Sequence, residues 1–153
     1  MKTKSILALT LTGALALAGA GSLLWAEEPD AAAKERISKA EQGATTIDVS
    51  GYPKAMQERY VVFAEKCASC HKLSRGINTD FVLPDEWERY TKRMLRKPGS
   101  GMDSASTKKV YEFLVYDSAV RKKDALEAKL KTLSPEEQKA ARDKIKEIMD
   151  KYK

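Results

Sequence analysis

The chain has 153 residues, 33% of them charged, with a formal net charge of +6. That length suits a single domain. The positive excess is too small and too dispersed for a nucleic-acid-binding surface, though it is compatible with docking against acidic protein partners and equally with ordinary solubility.

In chain order, Lys2 and Lys4 form a basic start, and Ile6 to Leu17 is an apolar run interrupted only by Thr and Gly. Small residues follow, which is the layout of a secretory signal peptide over residues 1–26 with a cut after Ala26. Leu24, at the third position before that cut, leaves an earlier cut or an uncleaved membrane anchor open. No second apolar run is long enough to span a bilayer. Residues 27–50 carry a net charge of −3 and read as a linker or partly helical arm. Residues 51–118 hold every phenylalanine and all but one of the tyrosines and read as the core domain. Residues 119–153 contain no glycine, carry a net charge of +4 and read as a charged helical tail.

The pattern predicts an all-α protein. Met56, Tyr60, Phe63 and Cys67 form one helical stripe, predicting a helix over Ala55–Cys70 that starts after Pro53. Gly76, Asn78 and Pro84 mark residues 72–84 as a loop. A helix from Asp85 to about Lys97 ends at Pro98-Gly99-Ser100-Gly101. The next helix carries Val110, Phe113, Leu114 and Asp117, with Ser104 or Ser106 as its cap. Ala125, Leu126, Leu130 and Leu133 continue the pattern. A last helix opens on Ser134-Pro135-Glu136-Glu137, with Ser at N-cap, Pro at N1 and Glu137 closing a capping box. Ile145, Ile148, Met149 and Tyr152 give it an apolar face.

Cys67-Ala-Ser-Cys-His71 contains both cysteines and the one histidine of the chain. C-x-x-C-H is the attachment signature of a c-type haem, in which each thiol forms a thioether with a vinyl group and the histidine ligates the iron. Three other uses of these residues fit less well. A dithiol redox motif usually follows a strand, and no strand alternation precedes Cys67. A structural zinc site takes four Cys or His ligands, and the chain has three. A structural disulfide gives no reason for the adjacent histidine. The expected cofactor is one covalent haem c held by Cys67 and Cys70, with His71 as the proximal ligand. In bacteria this group is attached after export, so motif and leader point together to the periplasm.

A second iron ligand cannot be histidine, and a thioether sulfur favours reduced iron. Met56 sits on the helix leading into the motif and Met149 lies far off in the tail, which leaves Met94 and Met102. Met94 shares a helix face with Trp87, Tyr90 and Thr91. Met102 follows a Gly-Ser-Gly loop. The residues alone leave the two open.

Residues 56–118 resemble small monohaem c-type cytochromes. The matching positions are Phe63, Cys67 through His71, Leu73, Trp87 through Met94, Pro98-Gly99 and Val110 through Leu114. The arrangement looks like the haem domains of some reaction-centre cytochromes and dihaem dehydrogenase subunits. The resemblance implies a cytochrome c-like domain in which the first and last helices cross. It also implies that the methionine seven residues after the tryptophan, Met94, is the second axial ligand. The N-terminal arm and the C-terminal helical extension fall outside it.

The expected function is therefore single-electron transfer in the periplasm through a His71/Met94 haem, without bond-making catalysis. The expected partners are redox proteins, acidic or membrane-bound, and the chain is a monomer or a subunit of a larger complex. The alternatives are a five-coordinate haem protein that binds a small gas, should no methionine ligate, and a haem subunit of a larger redox enzyme. Arg75 is a candidate for contact with a haem carboxylate or else a solvated loop arginine, and Trp87 and Tyr90 are candidates for such a contact or for packing on the ring, packing being expected of both. Lys66, Lys72, Lys92, Arg93, Arg96 and Lys97 are candidates for a basic rim that steers acidic partners.

Overall fold

A computed structural model describes residues 30–153 of the chain. The expected leader over residues 1–26 lies outside the described residues. Among those described, the regular structure is helical throughout: α1 (Ala31–Glu41), α2 (Lys54–Ala68), α3 (Ser74–Asn78), α4 (Pro84–Leu95), α5 (Ser104–Arg121), α6 (Lys123–Leu130) and α7 (Pro135–Lys151). No helix of this set is long and apolar enough to cross a membrane.

The centre of the fold is α5. Residues 112–118 are buried on all its sides, as befits a helix with neighbours all round. It packs against α2, α4, α6 and α7. The α2–α5 crossing is aromatic: Phe63 stacks on Phe113 with centroids 5.3 Å apart, and Tyr60 lies 5.4 Å from the same ring. One continuous core joins Met56, Phe63 and Cys67 of α2, Trp87 and Tyr90 of α4, and Val110, Phe113 and Leu114 of α5. Ile148 and Tyr152, from the tail, belong to the same core. A smaller cluster of Val82, Leu126 and Leu130 fixes α6.

Local chemistry sets the helix ends. At α7 the expected capping box is present: the Ser134 hydroxyl accepts from Glu137 N at 3.3 Å, and Ser134 N donates to the Glu137 carboxylate at 3.0 Å. Pro84 opens α4, and the Glu86 carboxylate accepts from Val82 N and Leu83 N, both at 2.9 Å. At α5 the cap is Asp103 rather than Ser104 or Ser106. Its backbone is extended, and its carboxylate accepts from Ser106 N at 2.6 Å while the Ser106 hydroxyl returns a bond from Asp103 N at 2.9 Å. A carboxylate at a helix start accepts from orphan N–H groups and complements the macrodipole. Gly101, at φ +62°, provides the left-handed turn before it.

Helix α3 falls where a loop was expected. Five residues are too short for a helix to persist on propensity, so tertiary contacts hold it. The Ser74 hydroxyl donates to Glu41 O at 3.1 Å, and the Asn78 amide donates to Ala40 O at 3.0 Å and Ala44 O at 2.8 Å. Gly76 allows the close approach, since a Cβ there would stand 3.2 Å from the Phe63 ring. These bonds also tie the N-terminal arm down: α1 lies against α3, and Ile47 enters the main core while its N–H donates to the Tyr60 hydroxyl at 3.1 Å.

Candidate functional site

Cys67 occupies the last turn of α2, with its side chain in the core, 7% exposed. The helix stops at Ala68, so Cys70 and His71 lie beyond its end, where the prediction had carried the helix to Cys70. Cys70 is exposed and His71 half-buried. The two thiols are free. The His71 Nδ1 stands 3.0 Å from Lys72 O. A carbonyl can only accept, so Nδ1 carries the proton in this contact, and in the neutral ring that leaves Nε2 as the nitrogen for metal ligation.

The helix end decides what these thiols can do. Dithiol redox centres and nucleophilic cysteines need a stabilised thiolate, which a helix N-terminus or a cationic neighbour provides. Cys67 is at the opposite end, where the backbone carbonyls disfavour negative charge. Burial pushes its thiol up to about 12. At neutral pH it is a protonated, apolar group facing aromatic side chains. Among the described residues no cluster of three or more His, Cys, Asp or Glu side chains gathers as metal ligands.

Helix α4 and the segment before it supply an aromatic wall to the same core. Phe81, Trp87 and Tyr90 meet edge to face, with centroid separations of 5.7 to 5.9 Å. Trp87 is fixed by a buried hydrogen bond from its Nε1 to the Ser118 hydroxyl, 2.8 Å away. The Tyr90 hydroxyl is buried and has no partner among the described residues. Met94 and Met102 are both partly buried and both pack against the core that contains Cys67. Met56 is wholly buried in it, and Met149 packs on its edge.

Arg75 is ion-paired to Glu41 of α1, which holds the Glu41 carboxyl below its ordinary range. Lys72 adds a smaller effect of the same sign. No local signal could have revealed Glu41, since it precedes Arg75 by 34 positions. Ser118, the acceptor for Trp87, is equally remote, 31 positions along the chain. Of the basic residues, Lys92 pairs with Glu88 at 2.6 Å and Lys66 lies 3.4 Å from Glu65. The Arg93 guanidinium sits 5.6 Å from the Tyr90 ring centroid. Lys72, Arg96 and Lys97 are exposed.

Two surface grooves lie elsewhere. One, of about 490 Å³, runs between α4, α5 and α7 past Glu88, Lys92, Tyr111 and Lys144. The other, of about 360 Å³, covers α6 and α7. Neither is bordered by Cys67, Cys70 or His71, and the Lys92 and Lys144 ammonium groups in the first are engaged by Glu88 and Asp85. The chemically distinctive residues are therefore those at the end of α2 and on the facing side of α4. No protein-family model, no curated protein and no solved structure matches the chain.

Proposed function

We propose that this protein is a single-electron carrier of the periplasm, built on one haem c attached through Cys67 and Cys70, with His71 and Met94 as the axial ligands. The observation that carries the reading is the Cys67–His71 pentapeptide at the C-terminal end of α2, with Cys67 turned into an aromatic core. Several features of the structure suit such a group. The thiols are unbridged, and Cys67 is too weakly acidic for thiolate chemistry. The histidine tautomer leaves Nε2 available. A buried tyrosine hydroxyl in the same core lacks an acceptor. When bound, the group supplies reversible one-electron exchange at iron, with its potential set by ligands, burial and hydrogen bonds.

The chain's own contribution is placement. The α2–α5 aromatic stack fixes the helix that carries Cys67. The Arg75–Glu41 pair fixes the segment after His71 against α1. Met94 stands four residues after Tyr90 on the helix that forms the aromatic wall. The exposed cations Lys72, Arg96 and Lys97 suit an acidic redox partner, whose association would slow as salt rises.

Two measurements test the reading. Intact-mass analysis of exported protein should show the increment of one haem on the chain. Reduced-minus-oxidised spectra should show the bands of a low-spin c-type haem, and the oxidised form the weak sulfur-to-iron charge-transfer band. Met94→Ala should abolish that band and Met102→Ala should retain it. The opposite pattern moves the ligand to Met102, retention in both moves it to another methionine, absence of the band from the wild type gives five-coordinate or other ligation, and an unmodified mass removes the proposal.

A further inference from the structure

We infer that Arg121, Lys122 and Lys129 of the C-terminal extension clamp the segment between α3 and α4, and that this clamp keeps the Met94 helix in place on the iron. The first part stands on the contacts alone, and the second rests on the haem reading above.

Residues 79–83 lie between the two helices, so no helical ladder serves their backbone groups. Side chains from the tail and from α4 serve them instead. Arg121 Nη2 donates to Ile77 O at 3.2 Å, Lys122 Nζ to Thr79 O at 2.7 Å and Lys129 Nζ to Asp80 O at 2.8 Å. Cations suit the carbonyls that run out of a helix end, here that of α3. Lys129 Nζ also pairs with the Glu86 carboxylate at 2.6 Å, and that carboxylate accepts from Val82 N and Leu83 N. Apolar packing follows the same line, since Val82 clusters with Leu126 and Leu130 of α6.

The clamped segment joins the two sides of the proposed site. Through α3 it is continuous with His71, and at its other end it opens the helix that carries Met94. Its Phe81 ring meets Trp87 and Tyr90 edge to face, and Lys122 Nζ lies 5.6 Å from the Trp87 ring centroid. Local opening of such a segment is the motion that would free a methionine ligand and admit an external one.

Lys122 separates positioning from stability. Burial and the cations of Arg121 and Lys129 work against its charge, Asp117 and Asp80 offset them in part, and the ammonium is lowered to about 8. At pH 7 its charge therefore costs stability. Replacing a buried charge by an apolar group is often neutral or stabilising. What Lys122 contributes is a fixed place for Thr79 O and for the Trp87 ring.

The test uses loaded protein at pH 7 with Lys122→Met and Lys129→Met, and Glu112→Gln as the comparison. Imidazole is the probe ligand for oxidised iron. Both clamp variants should bind imidazole faster by roughly three- to tenfold, the factor that one hydrogen bond of ordinary net strength represents. Hydrogen exchange at the Val82 and Leu83 amides should accelerate alike. Lys122→Met should do so with no fall in Tm. Glu112→Gln, which loosens α7 without touching the segment, should lower Tm and keep the wild-type imidazole rate. Wild-type exchange at Val82 and Leu83 in both clamp variants overturns the clamp, and should Lys129→Met fail to accumulate, Lys122→Met alone decides. Faster exchange with unchanged imidazole binding overturns the role at iron. A wild-type chain without the covalent group overturns the haem reading and the role at iron with it, and the exchange measurement still decides the clamp.

Discussion

Glu112 holds three helices together, and its removal is the sharpest stability test of the fold. The residue is 5% exposed on α5. Its carboxylate accepts from Arg59 Nε of α2 at 3.0 Å, from Lys151 Nζ of α7 at 2.9 Å and from the Tyr152 hydroxyl at 2.7 Å. The Arg59 guanidinium in turn donates to the Tyr152 hydroxyl and lies 4.1 Å from that ring's centroid. Lys151 is 47% exposed, so water screens its share and the cost falls on Arg59 and Tyr152. Arg59 is only 17% exposed, and Glu112→Ala leaves its charge half-dry with one carbonyl acceptor, Ala55 O. Removing one partner of a buried pair costs about 3–5 kcal/mol, and the partial exposure here argues for about 3. For a domain of this size that lowers Tm by roughly 10 °C. Glu112→Gln keeps the shape and an acceptor and should cost less, about 1–2 kcal/mol. Thermal and urea unfolding followed by far-ultraviolet circular dichroism give both values. A double-mutant cycle with Tyr152→Phe should show coupling of about 1 kcal/mol, as residues in one network do. A Tm change below about 3 °C, or additive effects, refutes the view that α7 is bound to the core through this carboxylate. The pH dependence has a definite sign. Burial raises the Glu112 carboxyl, but the bonds from Lys151, Tyr152 and Arg59 outweigh it and bring it below its ordinary 4.5. The contribution is thus complete above pH 4.5 and lost as pH falls through the lowered folded value. The gap between wild type and Glu112→Gln should close in the same direction.

Gly76→Ala should destabilise by about 1–2 kcal/mol despite its gain in helix propensity, because the new Cβ meets a Phe63 ring already stacked on Phe113; unchanged urea midpoints contradict that packing. Ser118→Ala leaves the Trp87 indole N–H buried without an acceptor and should cost about 1–3 kcal/mol with altered tryptophan near-ultraviolet dichroism; wild-type stability would remove that bond from consideration. Lys122 is lowered to about 8, chiefly by burial, from an ordinary 10.5. The unfolded chain therefore binds more protons between those values, so stability should rise with pH across that window, a rise that Lys122→Met should abolish in pH-dependent unfolding.

The parts of the fold legible in the sequence are those governed by local periodicity and caps. The stripe Met56, Tyr60, Phe63 and Cys67 predicts a helix, and three of those four are buried on α2. The Ser134 capping box stands as its spacing predicts. What was not legible depends on partners far along the chain. Helix α3 exists because Glu41, Ala40 and Ala44 receive its polar side chains. Arg75 reads in sequence as a loop arginine free for a carboxylate ligand, and the structure gives it to Glu41. Trp87 was expected only to pack; its hydrogen bond to Ser118 needs the α4–α5 contact before it can be seen. Asp103 displaced the two serines as cap because the Gly99–Gly101 turn sets where the helix begins, and no periodicity encodes that register.

The location of the site follows from two arguments that share no premise. One is covalent chemistry: the pentapeptide Cys67–His71 gathers both thiols and the one imidazole of the chain at a helix end unsuited to thiolates. The other is hydrogen-bond accounting. Buried Glu112, Asp117 and Ser118 of α5, Thr91 of α4 and Ser74 of α3 all have partners within the chain. The exception among the described residues, the Tyr90 hydroxyl, belongs to α4 and to the core that also contains Cys67. Were the motif a structural remnant, natural packing would have placed its orphan groups, if any, at random with respect to it, since unsatisfied buried donors are rare and costly wherever they fall. Their coincidence in one core makes the α4 side the place where a group held as proposed by Cys67 and Cys70 would meet the chain.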